Sequence, residues 1–229
     1  WENPWPNLKP NTSWKRRLIK NSGGNKHHDQ IFGDFDGDMK IELVSWNQKD
    51  DVLLLIEIPN NPHKNKEWER TVIFSPENGR GRYEGLAKAD IDQDGKMDIL
   101  GAGRWYKHIK GNQFTVNIRD DAPNREFTRT AAAQLVEGGK PEIVIVPGDA
   151  DGPLKWYEWK DGEWTSHTLN EKIIHGHSLA IDDINGDGYN DIFVAEMGQP
   201  GAGPNARTIV YYGNGKGEFD ENVVATGKA

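Results

Sequence analysis

Apolar residues in this chain come in short runs, separated by clusters of Asp, Asn, Gly and Lys. The clearest example lies over residues 178–195. Ser178, Leu179, Ala180 and Ile181 read as one strand, and Ile192, Phe193, Val194 and Ala195 as the next. Runs of this length bounded by turn residues are strand-sized, and no helical period extends to either side, so a β-hairpin is predicted. The pattern recurs around Asp90 to Leu100 and around Asp34 to Val44. The first two copies start 56 residues apart, and Asp90 to Asp183 is 93, close to two periods. A fourth copy fills the gap over residues 131–146. It keeps both strands and is read as lacking the loop carboxylates.

A second repeat lies between the hairpins. An aromatic residue is followed four positions later by an apolar or β-branched one at Trp14/Leu18, Trp68/Val72, Phe114/Ile118, Trp164/Thr168 and Phe219/Val223. Even offsets lie on one face of a strand. A further strand precedes each of the last four, over residues 52–58, 104–108, 154–159 and 207–212, with turn residues after it. Four strands per unit of about 50 residues is the signature of a β-propeller blade. The fold class is therefore all-β, a β-propeller of four-stranded blades with blades at 27–74, 82–119, 127–170 and 176–225. Five copies of the fourth strand stand against four of each other strand, and Trp1 to Pro4 resembles the end of a third strand. The chain is expected to be one propeller domain, or a part of a larger ring completed by further blades or another chain. A closed four-blade ring with a loose N-terminal pair is the alternative.

The hairpin loops carry candidate chemistry. Asp183, Asn185, Asp187 and Asp191 occupy positions 1, 3, 5 and 9, with the Tyr189 carbonyl at 7. Oxygen ligands at those offsets suit Ca2+, and Gly188 at position 6 permits the sharp turn. Asp90, Asp92, Asp94 and Asp98 with the Lys96 carbonyl form a second set, and Asp34, Asp36, Asp38 and Glu42 with the Lys40 carbonyl a third. Up to three structural Ca2+ ions are expected, and none in the third blade. The first site should be weakest, because Met39 replaces the position-6 glycine. The net charge of −8 gives no support for a nucleic-acid partner. There is no cysteine, so no disulfide framework and no thiolate site, which accords with an exported protein. No apolar run reaches the 18 residues of a membrane span.

The repeated Asp-x-Asp/Asn-x-Asp-Gly hairpin resembles the FG-GAP/VCBS repeats of integrin-α-type propellers. A narrower resemblance rests on His175, Gly176 and His177 before a hairpin, Trp156, Tyr157 and Glu158 before a turn, and Val194 to Met197 after a strand. These are similar to secreted bacterial propellers that act on polysaccharides, namely ulvan lyases, rhamnose–glucuronate lyases and the propeller part of aldos-2-ulose dehydratase. That resemblance implies a carbohydrate partner and an extracellular or periplasmic location.

Aligning the hairpins puts His28, Glu84, Thr128 and His177 at one position, six residues before the first loop position, preceded by His27, Tyr83, Phe127 and Gly176. Innermost strands begin there, around the central channel. The loops between second and third strands add Asn47, Arg104, Asp149, Asp151 and Glu196, and Arg80 and Arg82 come from a preceding loop. A uronate lyase needs a base beside the carboxylate and a cation for the enolate-like charge. His177 is the first choice of base and His28 the alternate. Tyr83 would protonate the leaving oxygen, and Arg104 or Arg82 would neutralise the carboxylate. The histidines with Glu84 also suit Zn2+. Trp14, Trp68 and Trp164 read as packing residues; Trp46, Trp105 and Trp156 as core or as sugar platforms. Two functions stand: a carbohydrate-active propeller, most of all a lyase, and a non-catalytic calcium-stabilised binding or scaffold propeller.

Overall fold

The computed structural model describes residues 1–64, 67–76, 83–118 and 127–227. The strands form four antiparallel sheets, each in simple sequential order. Blade one is β1 (His27–Gly33), β2 (Glu42–Asn47), β3 (Val52–Glu57) and β4 (Arg70–Phe74). Blade two is β5 (Leu86–Ala89), β6 (Asp98–Gly101), β7 (Arg104–Lys110) and β8 (Gln113–Ile118). Blade three is β9 (Thr128–Ala133), β10 (Glu142–Pro147), β11 (Asp151–Lys160) and β12 (Glu163–Ile174). Blade four is β13 (Ser178–Asp182), β14 (Asp191–Ala195), β15 (Arg207–Gly213) and β16 (Phe219–Thr226). This is the all-β propeller that the repeat requires. Innermost strands pack in succession, β1 on β5, β5 on β9 and β9 on β13, so the four blades share an axis.

The core is a set of layers between blades. Period-2 alternation turns one row of each strand forward, toward the next blade, and the other row back. Val44, Trp46, Leu53 and Leu55 of blade one face Tyr83, Ile99 and Tyr106. Leu100 and Trp105 face Ile143, Ile145 and Tyr157. Val144, Val146, Leu154 and Trp156 face Ile192, Val194, Ile209 and Tyr211. Second strands are covered on both faces, which is why residues 143–146 read as an unbroken apolar run. Trp46, Trp105 and Trp156 are buried in these layers, so they are core and not sugar platforms. Trp68 and Trp164 pack against the layers as expected. Trp14 does not: it is 49% exposed.

The N-terminal segment lies against the back face of blade one. Glu2 and Lys15 form an antiparallel bridge, as third and fourth strands do within a blade. Ile19 packs on Leu43, Leu54 and Ile56, and its carbonyl accepts the Trp68 N–H.

One close approach fixes the axis. A Cβ on Gly85 would lie 2.0 Å from the Thr128 carbonyl oxygen, and the backbone there has φ +72°. Only glycine fits, so blades two and three meet with Glu84 and Arg129 next to that contact.

Candidate functional site

The hairpin loops share one device. In every blade the position-9 carboxylate is buried and accepts the N–H of loop position 2: Phe35 to Glu42 (2.7 Å), Ile91 to Asp98 (3.2 Å), Leu135 to Glu142 (2.6 Å) and Ile184 to Asp191 (2.9 Å). Asp98 and Asp191 also accept from the third strand, through His108 and Gly213 N–H. Glu142 corrects the reading that the third blade's loop lacks carboxylates. It keeps the closing one and lacks the others.

The three acidic loops differ in how they gather oxygens. In the first, Asp34, Asp36, Asp38 and Glu42 converge within 4.8 Å of one another. Glu42 Oε1 is buried without a hydrogen-bond partner, so it is aimed where a cation would satisfy it. Burial pushes the Glu42 carboxyl up to about 7, and the Asp36, Glu57 and Asp34 charges add to this. Met39 has the left-handed φ of 68°, and Lys40 Nζ pairs with Asp38. In the second loop Asp90, Asp92 and Asp98 converge, while Asp94 stands outside the group and accepts the Lys96 N–H. Asp92 Oδ1 is buried and unpartnered, its other oxygen paired with Lys107. In the fourth blade Asp183 accepts from Gly186, Asp187 and Gly188 N–H, and Asp187 accepts from Tyr189 N–H and Asn185 Nδ2. Asp191 is committed to backbone donors. Oxygen-rich clusters of this kind fit a hard cation. Asp34, Asp36, Asp38 and Glu42 would hold it in the first loop, and Asp90, Asp92 and Asp98 in the second.

At the axis a pocket of about 360 Å³ is lined by residues from all four innermost strand starts, among them His28, Asp29, Arg129 and His177. Glu84 and Asp149 stand beside it. Arg129 is the hub. Its Nη1 lies 3.0 Å from Glu84 Oε2 and 3.6 Å from Asp29 Oδ2. Its Nη2 lies 2.6 Å from His177 Nε2, and its Nε donates to the His177 carbonyl at 2.9 Å. A guanidinium only donates, so His177 Nε2 is an acceptor there and its lone pair is engaged. His28 is arranged differently. Its Nδ1 lies 3.0 Å from Asp29 Oδ2, which also accepts the Gly85 N–H at 2.7 Å. Its Nε2 is 3.5 Å from Glu84 Oε1, beyond a good hydrogen bond. The two histidines thus share one pocket, but only His28 has a carboxylate behind one nitrogen and an uncommitted second nitrogen.

Other sequence candidates lie elsewhere. Tyr83 is buried between blades one and two, stacked on Trp46 with ring centroids 5.1 Å apart. Arg104 is buried over the Phe74 and Tyr83 rings and donates to the Ala102 carbonyl. Neither reaches the pocket. Arg80 and Arg82 lie outside the described residues. Burial alone would raise the Glu196 carboxyl, but hydrogen bonds from Arg207 and backbone N–H groups outweigh it and hold the carboxyl down as part of a local clasp. Asn47 binds the Gly24 carbonyl and Asp50. Asp149 does approach the site, with Oδ1 3.5 Å from His177 Nε2.

Glu84, Asp149 and His177 bring three donor atoms within 4.8 Å, the geometry a Zn2+ site would need. The Arg129 guanidinium is already in contact with two of them. A dication would meet that fixed positive charge, so the residues present do not fit zinc. Arg129 and Asp29 were missed in the sequence. They stand one residue after the aligned axial position, in the column Asp29, Gly85, Arg129, Ser178, where a charged pair interrupts small residues.

The FG-GAP-like repeat family matches residues 34–101 and 139–194, together more than half of the chain. No curated protein matches it.

Proposed function

Because the chain belongs to the FG-GAP-like repeat family, a fold that hosts many chemistries, we propose its function from the axial pocket: an extracellular or periplasmic carbon–oxygen lyase acting on a carbohydrate, with His28 as base. The carrying observation is the Asp29–His28 pair facing a polar pocket that four blades build. Asp29 holds the proton on Nδ1 and leaves the Nε2 lone pair to take a proton from carbon.

The charge of the pocket supports one substrate class. Asp29 and Glu84 flank a single guanidinium and Asp149 stands against His177 beside it, so a uronate carboxylate would meet net negative charge. A neutral sugar meets no such penalty. Its reacting C–H must then be acidified by a ketone or aldehyde. His28 removes that proton, the C–H electron pair forms the carbon–carbon double bond, the carbon–oxygen bond of the neighbouring hydroxyl or glycosidic oxygen breaks, and the departing oxygen takes the proton back from the His28 imidazolium, so that water or an alcohol leaves. Arg129, the only cation among the described residues of the pocket, would stabilise the carbonyl oxygen that gains charge.

The test is absorbance of the conjugated product after incubation with neutral keto-sugars and, separately, polyuronates. Turnover of the neutral class is expected, lowered roughly 10²–10⁴-fold in His28→Gln. Full activity in His28→Gln sinks the base assignment. Saturable sugar binding with no turnover of either class would favour the scaffold reading. That reading has its own support: Glu84, Arg129 and His177 tie three blades together and would serve a ring with no chemistry.

A further inference from the structure

We infer that His177 is the hydrogen-bond donor of the axial pocket: its Nδ1–H meets the carbonyl oxygen of the sugar while its Nε2 is held by Arg129. Its part in the reaction rests on the lyase reading of this pocket; its tautomer does not. Arg129 Nη2 stands 2.6 Å from His177 Nε2, and a guanidinium keeps its protons and accepts none. The ring nitrogen must therefore accept, and the proton of the neutral ring sits on Nδ1. Asp149 would favour the opposite tautomer, because a carboxylate prefers a protonated nitrogen before it. Its Oδ1 is 3.5 Å from Nε2, beyond a good hydrogen bond, so the charge-assisted contact at 2.6 Å decides.

The ring is held in this state from several sides. Arg129 Nε donates to the His177 carbonyl at 2.9 Å, so one guanidinium grips the residue by main chain and side chain. The His177 N–H donates to the His175 carbonyl at 2.7 Å. Arg129 is itself buried and paired with Glu84 and Asp29. No group among the described residues accepts from His177 Nδ1. The side chain is 40% exposed and lines the pocket, so that N–H is left for an occupant. Thr130 lines the same pocket with its buried hydroxyl unpartnered among the described residues. An oxygen-rich ligand suits such a wall.

The two histidines thus carry their protons on the same atom and offer opposite ends. His28 turns Nδ1–H to Asp29 and offers the Nε2 lone pair; His177 turns its lone pair to Arg129 and offers Nδ1–H. As His28 takes a proton from carbon, His177 steadies the carbonyl oxygen that gains charge. It gives a hydrogen bond and keeps its proton, as a neutral imidazole acting as electrophile does. The guanidinium behind the ring polarises it and strengthens that bond. The Arg129 charge reaches the substrate through His177, since its own nitrogens face Glu84, Asp29 and His177.

The tautomer is read in a proton–nitrogen correlation spectrum of histidine-labelled protein, the His177 signals being those lost in His177→Gln. Expected are a protonated Nδ1 and a bare Nε2. A proton on Nε2 overturns the inference. Erythrulose, a neutral keto-sugar that cannot close a hemiacetal ring, is then titrated in. The His177 Nδ1–H signal should shift to saturation, and a signal that does not move overturns the donor. A shift without turnover keeps the donor and removes the lyase chemistry, so the two readings fail separately. Where the parent turns over, two variants divide the roles. His177→Gln keeps an acceptor for Arg129 but has no donor at the Nδ1 place, and kcat should fall about 10²–10³-fold. His177→Asn puts an N–H at that place and loses the Arg129 contact, and should recover about tenfold or more of that loss. Equal loss, or the reverse order, would mean that His177 only holds Arg129 in place, and overturns the assignment.

Discussion

Glu142 shows how a single side chain holds a loop. It is the lone survivor of the ligand pattern in blade three, yet it is buried and accepts the Leu135 and Val136 N–H groups. Removing it leaves two buried donors unmet. Glu142→Ala should therefore cost about 2–4 kcal/mol, read by denaturant unfolding and indifferent to added calcium. Glu42 occupies the same position with different electrostatics. Its folded carboxyl sits at about 7, above the ordinary 4.5, because burial disfavours the charge. A raised carboxyl means the folded state binds the proton more tightly than the unfolded one. The contribution is fully present below pH 4.5 and is lost as pH rises through about 7. Without divalent cations, stability should fall across that window, by an amount on the order of 1–3 kcal/mol. Glu42→Gln should flatten the profile, and calcium should do the same by favouring the ionised form. A slope unchanged in Glu42→Gln would show that another group sets it.

At the scale of the hairpin, neighbouring blades do for one loop what a cation would do for the others. The blade-three loop is pinned by Gln93 Nε2 donating to the Gly139 carbonyl and by Glu137 N–H donating to the Gly215 carbonyl. The first loop instead carries converging carboxylates and a strained residue, Met39, at φ 68° and 92% exposed. Met39→Gly should stabilise the chain by about 1 kcal/mol, since a side chain in that conformation costs about 1–2 kcal/mol and Met39 packs on little. Chelation should lower Tm, because an ion bound only by the folded state stabilises it by mass action. Combined with Met39→Gly, the calcium needed to restore Tm should fall. A Tm indifferent to chelator would remove calcium from the account of these loops.

Over the whole molecule, Arg129 joins what the chain separates. It contacts Asp29 of blade one's inner strand, Glu84 just before blade two and His177 just before blade four. Arg129→Met would leave Glu84 buried and uncompensated, and should cost about 3–5 kcal/mol. His28 lies at the pocket wall and its contact to Glu84 across the blades is long, 3.5 Å, so His28→Gln should cost less than about 1 kcal/mol while lowering turnover roughly 10²–10⁴-fold. Measured side by side, the two variants separate the hub from the base. Equal loss of stability in both would mean the pocket is one structural network.

Much of this was legible in the sequence for a physical reason. Strand alternation, a turn every few residues and a period near 50 are local, and local rules fix a blade before any blade meets another. The loop carboxylates were readable too, because their ligand spacing is set within one turn. What the tertiary structure decided is which residues face one another across blades. The aligned axial position brought His28, Glu84 and His177 to one place as expected. Alignment says nothing of side-chain direction, however, and Tyr83 and Arg104 turned into the layer between blades, where aromatic packing outweighs exposure. Arg129 was invisible because its partners lie 45 to 100 residues away in the chain. The sequence determined the repeat and its hairpins; packing around the axis decided which ionisable groups meet, since only the succession of inner strands, β1 on β5, β5 on β9 and β9 on β13, puts their charges within reach of each other.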